Sequence, residues 1–313
     1  MAWGHAVSLD LIYQVIHVLE VCSVPLLLAA IIRRAKARMQ GRPGPPFAQP
    51  IFDLVKRFRK SETISSTSSW VFRVSPVAGL AIALVIALTV PWTGARALGT
   101  GSGVADFILV AYLLAFGRFL SILAALDTGS AFGGIGASRE SALGVLIEPS
   151  VLVSLAAISV STGSSDLSVA LTSHAPTSVA ILAGAAFLLA ALAELSRMPV
   201  DDPTTHLELT MIHEATILEN SGRNLALVEV GVALRTAIYF GVGARLLLSC
   251  AVPVGGLATM QIILTLVSIL ALGIAIGVIE GISVKLNWRR IPSFVAFSTA
   301  LAAMSAFVAV LRG

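Results

Sequence analysis

The stretch Gly256-Leu-Ala-Thr-Met-Gln-Ile-Ile-Leu-Thr-Leu-Val-Ser-Ile-Leu-Ala-Leu-Gly-Ile-Ala-Ile-Gly-Val-Ile-Glu280 meets no charged side chain before its last position. A helix of about 20 residues rises ~30 Å, the thickness of a bilayer's hydrocarbon core. A segment in lipid must also satisfy its own backbone, which a helix does and an isolated strand does not. The stretch is therefore a membrane-spanning helix, and 256–280 is one of a set. Working outward, runs of the same kind cover residues 9–32, 74–93, 104–126, 143–162, 177–195, 225–250 and 291–311. None shows the period-two alternation of barrel strands. The chain reads as an all-α polytopic membrane protein, a single integral domain over residues 1–313 with eight transmembrane helices and short loop helices.

Composition agrees. The chain has 313 residues, enough for two soluble domains, but 57% are hydrophobic, 12% are charged and the mean hydropathy is +0.92. The charged share is about half the ~25% of a soluble domain, and a water-soluble globule of this make-up would aggregate. The first run lacks a basic segment before Asp10 and a small-x-small cleavage site, and it ends in Arg33 and Arg34, so it is expected to be a retained span. The two cysteines, Cys22 and Cys250, lie in apolar runs far apart in sequence and match no metal-ligand spacing, so no iron–sulfur cluster is expected within this chain.

The net charge of +4 would raise nucleic acid as a partner in a soluble protein, but its distribution excludes that reading. Alternate connections carry ten Lys and Arg (Arg33 to Arg73), one (Arg139), two (Arg197 and Arg223) and three (Lys285, Arg289 and Arg290). The opposite side carries only Arg96 and Arg312. By the positive-inside rule the first set is cytoplasmic and both termini lie outside. Arg118, Arg235 and Arg245 fall within spans.

Three of the basic-side loops hold the unusual chemistry. In the first, Pro and Gly stop the helix after Gln40, and a short amphipathic helix begins near Gln49 with Ile51, Phe52, Val55 and Phe58 as its apolar side. That helix reads either as an interfacial anchor or as a docking surface for a soluble partner. The second loop, Leu126 to Glu140, contains four glycines but lacks the Gly-Lys-Ser/Thr ending and preceding strand of a phosphate loop, which excludes nucleotide binding. Ser138 to Glu140 reads as a cap for the fourth helix. Glu148 follows within that span, where a charge costs on the order of 2.5–3.5 kcal/mol and usually faces protein or an aqueous path.

In the third loop, Asp202-Pro203 predicts a helix start and a helix to Glu219, with His206, Thr210 and His213 near one face. A zinc helix is excluded because Ile217 stands where the second histidine would be. Six acids, Glu194, Asp201, Asp202, Glu208, Glu214 and Glu219, are matched in this stretch by Arg197 and Arg223 alone. Crowded carboxylates raise one another's pKa, which fits a proton path; a solvated acidic loop is the alternative.

In these loops the sequence resembles the membrane subunit (subunit 4 type) shared by energy-converting [NiFe] hydrogenases of the formate hydrogenlyase kind. More distantly it is similar to the quinone-site membrane subunit (subunit 1, or H subunit) of respiratory complex I. The motifs are Trp70-Val-Phe-Arg73, Leu126-Asp-Thr-Gly-Ser, Gly136-Ala-Ser-Arg-Glu140 and Glu148-Pro149. To these is added Arg197-Met-Pro-Val-Asp-Asp-Pro-Thr-Thr-His-Leu-Glu-Leu-Thr-Met-Ile-His-Glu-Ala215, which looks like the hydrogenase branch. The resemblance covers essentially the whole chain and departs at Asn220, where the family tends to carry tyrosine.

The resemblance implies a subunit with no cofactor of its own, non-catalytic alone, in a prokaryotic cytoplasmic membrane. Hydrogenase-like small and large subunits carrying Fe–S clusters and a Ni–Fe centre would dock on its cytoplasmic side, with antiporter-like subunits beside it in the membrane. Glu140, Glu148, Glu194, Glu208, Glu214 and Glu219 would line a proton path. Arg38, Asp53, Lys56, Arg139, Arg197, Asp201 and Asp202 would sit at the junction with the soluble arm. In the alternative, complex I-like reading a quinone enters near spans one and six. A stand-alone transporter would usually show two related halves, and the sequence shows no such repeat.

Overall fold

A computed structural model describes residues 2–201, 211–250 and 258–312. In chain order its helices are α1 (Ala2–Met39), α2 (Gln49–Phe58), α3 (Trp70–Thr89), α4 (Phe107–Asp127), α5 (Ala131–Thr162), α6 (Leu167–Ala170), α7 (Thr177–Glu194), α8 (His213–Ile217), α9 (Gly222–Leu248), α10 (Ala258–Ile282) and α11 (Ile291–Arg312). Among the described residues there is no strand, only an isolated bridge between Asp106 and Asp166. Eight helices are long and apolar enough to cross a membrane, as expected from the sequence.

The long helices alternate in direction, so α2, the α4–α5 corner, α8 and the α10–α11 connection gather at one end of the bundle. Contacts among them confirm it: Thr67 Oγ1 donates to Thr128 O, and Lys285 pairs with Asp201. The Asp10–Arg96 pair and α6 mark the other end. We refer to the α2 end and the α6 end. The basic connections therefore share the α2 end.

Helix α5 packs against α4, α7 and α11, while α9 touches α3, α7, α10 and α1. The core between them holds Phe187 and Tyr239, stacked at 5.5 Å, with Trp92 and Phe240 fully enclosed. Between α1 and α10 the seam is made by missing side chains. A Cβ on Gly273, Gly277 or Gly281 would come within 2.5 Å of Leu28, Ala35 or Met39 respectively. Small residues four apart allow this backbone approach, which in lipid replaces hydrophobic exclusion as the source of helix association.

Two expectations about local structure need correction. The glycine-rich loop is helical from Ala131, capped by Ser130, whose hydroxyl accepts from Gly133 N at 3.0 Å. Ser138–Glu140 is therefore not a cap, and Glu140 lies inside α5. Gly136 serves packing: a Cβ there would lie 2.8 Å from Ala215 Cβ, so glycine lets α8 rest on α5. The loop's Asp127 instead holds the start of α3, accepting from Ser69 N at 2.7 Å and Phe72 N at 3.1 Å. Second, the continuous helix expected up to Glu219 is broken, because Met211 and Ile212 are not helical and α8 begins at His213. The N–H groups of Ile212 and His213 both point at Asp201 Oδ2, 3.3 Å away. Asp202, His206, Glu208 and Thr210 lie outside the described residues.

Candidate functional site

Arg118 is the centre of the arrangement. It lies in the apolar helix α4 with its side chain 6% exposed, a position tolerable only with counter-charges. Two helices supply them: its guanidinium contacts Glu194 at the end of α7 and lies 3.5 Å from Glu148 of α5. The guanidinium passes over Gly144, where a Cβ would sit 2.5 Å from its nitrogen. Glu140, Gly144 and Glu148 are spaced by four on α5 and so share one face. Glycine in the middle is thus the opening through which Arg118 reaches that face.

The three carboxylates differ in surroundings. Glu194 is almost wholly enclosed, while the Glu148 side chain is 51% exposed on a lateral cleft of about 360 Å³ between α4 and α5, also lined by Tyr112 and Tyr239. Glu140 is buried with Arg118 and Arg235 as cationic neighbours, and its Oε2 has no hydrogen-bond partner among the described residues.

Toward the α2 end, α1, α2, α9 and α10 enclose a cavity of about 350 Å³. In its wall Arg197 donates to Glu280 Oε1 at 3.1 Å, and Lys36 Nζ lies 3.9 Å from the other oxygen. Arg57 of α2 pairs with Glu229 of α9, and Arg33 reaches Asp53 at 3.2 Å. His213 and Glu214 also line the cavity. Burial, reinforced by the nearby Arg235 and Arg197 cations, lowers the pKa of His213 to about 4, so its ring is uncharged at neutral pH.

The structure thus brings Glu140, Glu148 and Glu194 together around Arg118 and places Glu214 at the cavity. Glu219 is exposed on the loop before α9. Of the junction residues, Arg38 and Lys56 are exposed, whereas Asp53 is tied to Arg33 and to Gln49 Nε2 at 2.8 Å. Arg139 donates to Met211 O at 2.9 Å and lies over the Trp288 ring, and Arg197 faces the cavity. Asp201 is 2% exposed, with Lys285 Nζ at 2.5 Å. The acidic excess read from the third loop is therefore smaller than its own count, since Arg118 and Lys285 answer two of its acids from elsewhere in the chain.

Sequence reasoning missed Glu229 and Glu280. The signal was present: both are lone acids of apolar runs, Glu229 inside one and Glu280 at the end of another, much the sign that singled out Glu148. Arg245 has a structural task, donating from Nε at 3.1 Å to the carbonyl of Leu171, just beyond α6. No group of three metal-ligating side chains occurs among the described residues.

With this geometry in place, the relatives are informative. Hydrogenase-4 component C of Escherichia coli K12 is 34% identical over 68% of this chain and 67% of its own length. Formate hydrogenlyase subunit 4 of the same organism is 33% identical over 74% and 75%. A chain of an archaeal membrane-bound sulfane sulfur reductase shares the fold at a TM-score of 0.78 and 21% identity, over 96% of this chain and 99% of that one. The family described as NADH dehydrogenase matches residues 12–311, and the chain belongs to that family, as a homologue of the two hydrogenase subunits.

Proposed function

We propose that the chain is the membrane anchor and coupling subunit of a complex I-like hydrogenase of the formate hydrogenlyase type. The observation that carries this reading is the ionic set around Arg118. It lies between the charged cavity at the α2 end and a lateral cleft where Glu148 is open to a neighbouring membrane subunit. Buried carboxylates beside exchangeable cations can take up and release protons as their surroundings change. In this reading Glu280, Glu214, Glu140, Glu194 and Glu148 carry protons from the cavity to the cleft. Glu219 serves its loop end. The uncharged His213 lines the cavity beside Glu214.

The α2 end faces the cytoplasm of a prokaryotic cell, and both termini lie outside. There Arg38, Lys56 and the exposed Phe52 and Phe58 meet hydrogenase-like small and large subunits, which hold the Fe–S clusters and the Ni–Fe centre. Asp201, Arg139 and Arg197 shape the loop beneath that contact. Antiporter-like subunits cover the cleft at Glu148. Purification in mild detergent, with the co-purifying chains identified and Ni and Fe measured, is expected to recover these partners with both metals. A chain that runs alone would favour a stand-alone transporter.

Lys56→Glu is expected to release the soluble arm while insertion is unchanged. Lys56 is the cleaner probe because Arg57 also holds α2 to α9. Retention of a full arm in Lys56→Glu would favour a lipid-anchor role for α2. Single-cysteine labelling at Lys60 is expected from the cytoplasmic side alone, and labelling only from outside would end the proposed orientation.

The cavity supports a second reading. It lies between α1 and α9, where a quinone headgroup would enter in a complex I-like enzyme, and its wall offers Arg33, Lys36 and Arg197 as donors. Quinone reduction by the purified complex, sensitive to substitution at Arg197, would decide for it.

A further inference from the structure

A basic groove stands outside the cavity, at the α2 end of α1. Arg33, Lys36, Ala37 and Gln40 follow one another by three, one and three, so they share one face of the last turns of the helix. The chain then folds back on that end. Arg42 N donates to Ala37 O at 2.9 Å, and Arg34 Nη1 donates to Pro45 O at 3.1 Å while its guanidinium lies 4.6 Å from the centre of the Phe47 ring. Gly44 has positive φ, and a Cβ there would meet Arg34 Cγ at 3.1 Å, so glycine lets the turn seat. Between the helix face and residues 42–45 lies an open groove of about 720 Å³. Its charged lining residues are Arg33, Lys36 and Arg42, with no acid among them.

Two of these cations keep donors to spare. A guanidinium has five N–H donors, and Arg33 gives Asp53 a single hydrogen bond from Nη1, at 3.2 Å, with its side chain 48% exposed. Arg42 donates to the side chain of Gln40, which carries no charge. Lys36 adds its positive charge to the same face, 3.9 Å from a Glu280 carboxylate that Arg197 also meets at 3.1 Å. Charge-assisted bonds from such groups to an oxyanion are the strong ones, and arginine meets phosphate through paired N–H groups.

Arg33 and Lys36 line the cavity as well, so groove and cavity meet at these two side chains. On the membrane side of Arg33 the cavity wall is apolar, with Pro25, Leu26 and Ala29 of α1, Leu54 of α2, and Val228 and Val232 of α9. From Arg33 back to Pro25 the helix rises ~12 Å, against ~15 Å for half of the hydrocarbon core. A headgroup held at Arg33 would lay an acyl chain along this wall over most of one leaflet's depth. An uncharged quinone does not account for cations set beyond the cavity without acids. An acidic segment of the soluble arm would meet the cations but not the apolar wall behind them. The chemistry that fits both parts is an anionic lipid.

We propose that the groove and the apolar side of the cavity together bind a phospholipid of the α2-end leaflet, its anionic phosphate on Arg33, Lys36 and Arg42 and an acyl chain on the wall between α1 and α9. The probe is a lysophosphatidate with a diazirine on its single acyl chain, set against a monoacylglycerol of the same chain and diazirine, which lacks the charge. After illumination of the whole complex in non-ionic detergent, the lysophosphatidate is expected to label positions 25–32 and 228–232 about fivefold more than the neutral probe does. Arg42→Gln removes one cation without touching the pairs that hold α2, and is expected to lower that labelling by about fivefold. Arg33→Gln is expected to act in the same direction. Glycerol 3-phosphate, the head without the chain, is expected to leave labelling unchanged at the probe's concentration. Equal labelling by the two probes would mark an apolar sink and overturn the site. So would unchanged labelling in both variants, or displacement by glycerol 3-phosphate, which would mark a site for phosphate alone. No labelling of these positions while the soluble arm is attached would assign the groove to the arm and overturn it too. None of these results depends on proton transport, so the lipid site and the coupling role fail separately.

Discussion

Arg118→Met is expected to destabilise the membrane domain by about 3–5 kcal/mol, the usual effect of removing one partner from a buried ion pair. The substitution keeps much of the apolar stem's volume but leaves Glu194 enclosed without its nearest cation. Glu148 loses its partner too, though its half-exposed side chain retains access to the cleft, so most of the effect belongs to Glu194. The double variant Arg118→Met, Glu194→Met removes both charges and is expected to recover much of the loss, because a buried pair replaced by apolar residues is often neutral or better. Lifetime of helical structure in detergent on heating measures both. A single variant as long-lived as the parent would mean that water or lipid headgroups already compensate Glu194, and the ionic set would lose its claim to be enclosed.

Glu148→Gln and Glu194→Gln are expected to abolish redox-driven proton movement while leaving the complex assembled. Glutamine keeps the shape of glutamate and an oxygen that accepts from Arg118, but it cannot titrate. With either substitution the other carboxylate still answers Arg118, which separates this experiment from removal of the arginine. Turnover in a tightly coupled complex would fall as well, and adding an uncoupler would not restore turnover. Near-normal proton movement in both assembled variants would make these acids structural, and the coupling role should then be abandoned for this subunit.

The spans were legible because the apolar runs have bilayer length and little else competes for them. Helix α2 was legible too, since Pro and Gly precede it and its apolar side alternates with Lys56 and Arg57. Helix α5 was not bounded correctly, because Gly133, Gly134 and Gly136 read as a loop, whereas Gly136 is needed inside a helix for the close packing of α8. The partners of Arg118 could not be paired from sequence, as Glu148 and Glu194 reach it from other helices. Sequence separation says nothing about which faces meet. Counting acids against bases within one loop failed for the same reason, since Lys285 crosses from another connection to Asp201. Glu229 and Glu280 carried a usable signal as single acids in apolar runs.

The glycine seam of α10 has a consequence for how the large cavity can breathe. Backbones seated this closely, with the Cβ site of Gly277 only 2.9 Å from the Ile32 carbonyl, cannot slide past each other without a clash. The rear wall of the cavity is therefore stiff. Its front is α2, preceded by Gly41 and Gly44 at positive φ and fastened by the partly exposed Arg33–Asp53 and Arg57–Glu229 pairs. Such pairs weaken as counter-ions gather, over a screening distance of about 8–10 Å at physiological salt. The cavity is thus closed unequally, its rear by interlocked spanning helices and its front by a surface helix held through ion pairs that the surrounding electrolyte can weaken.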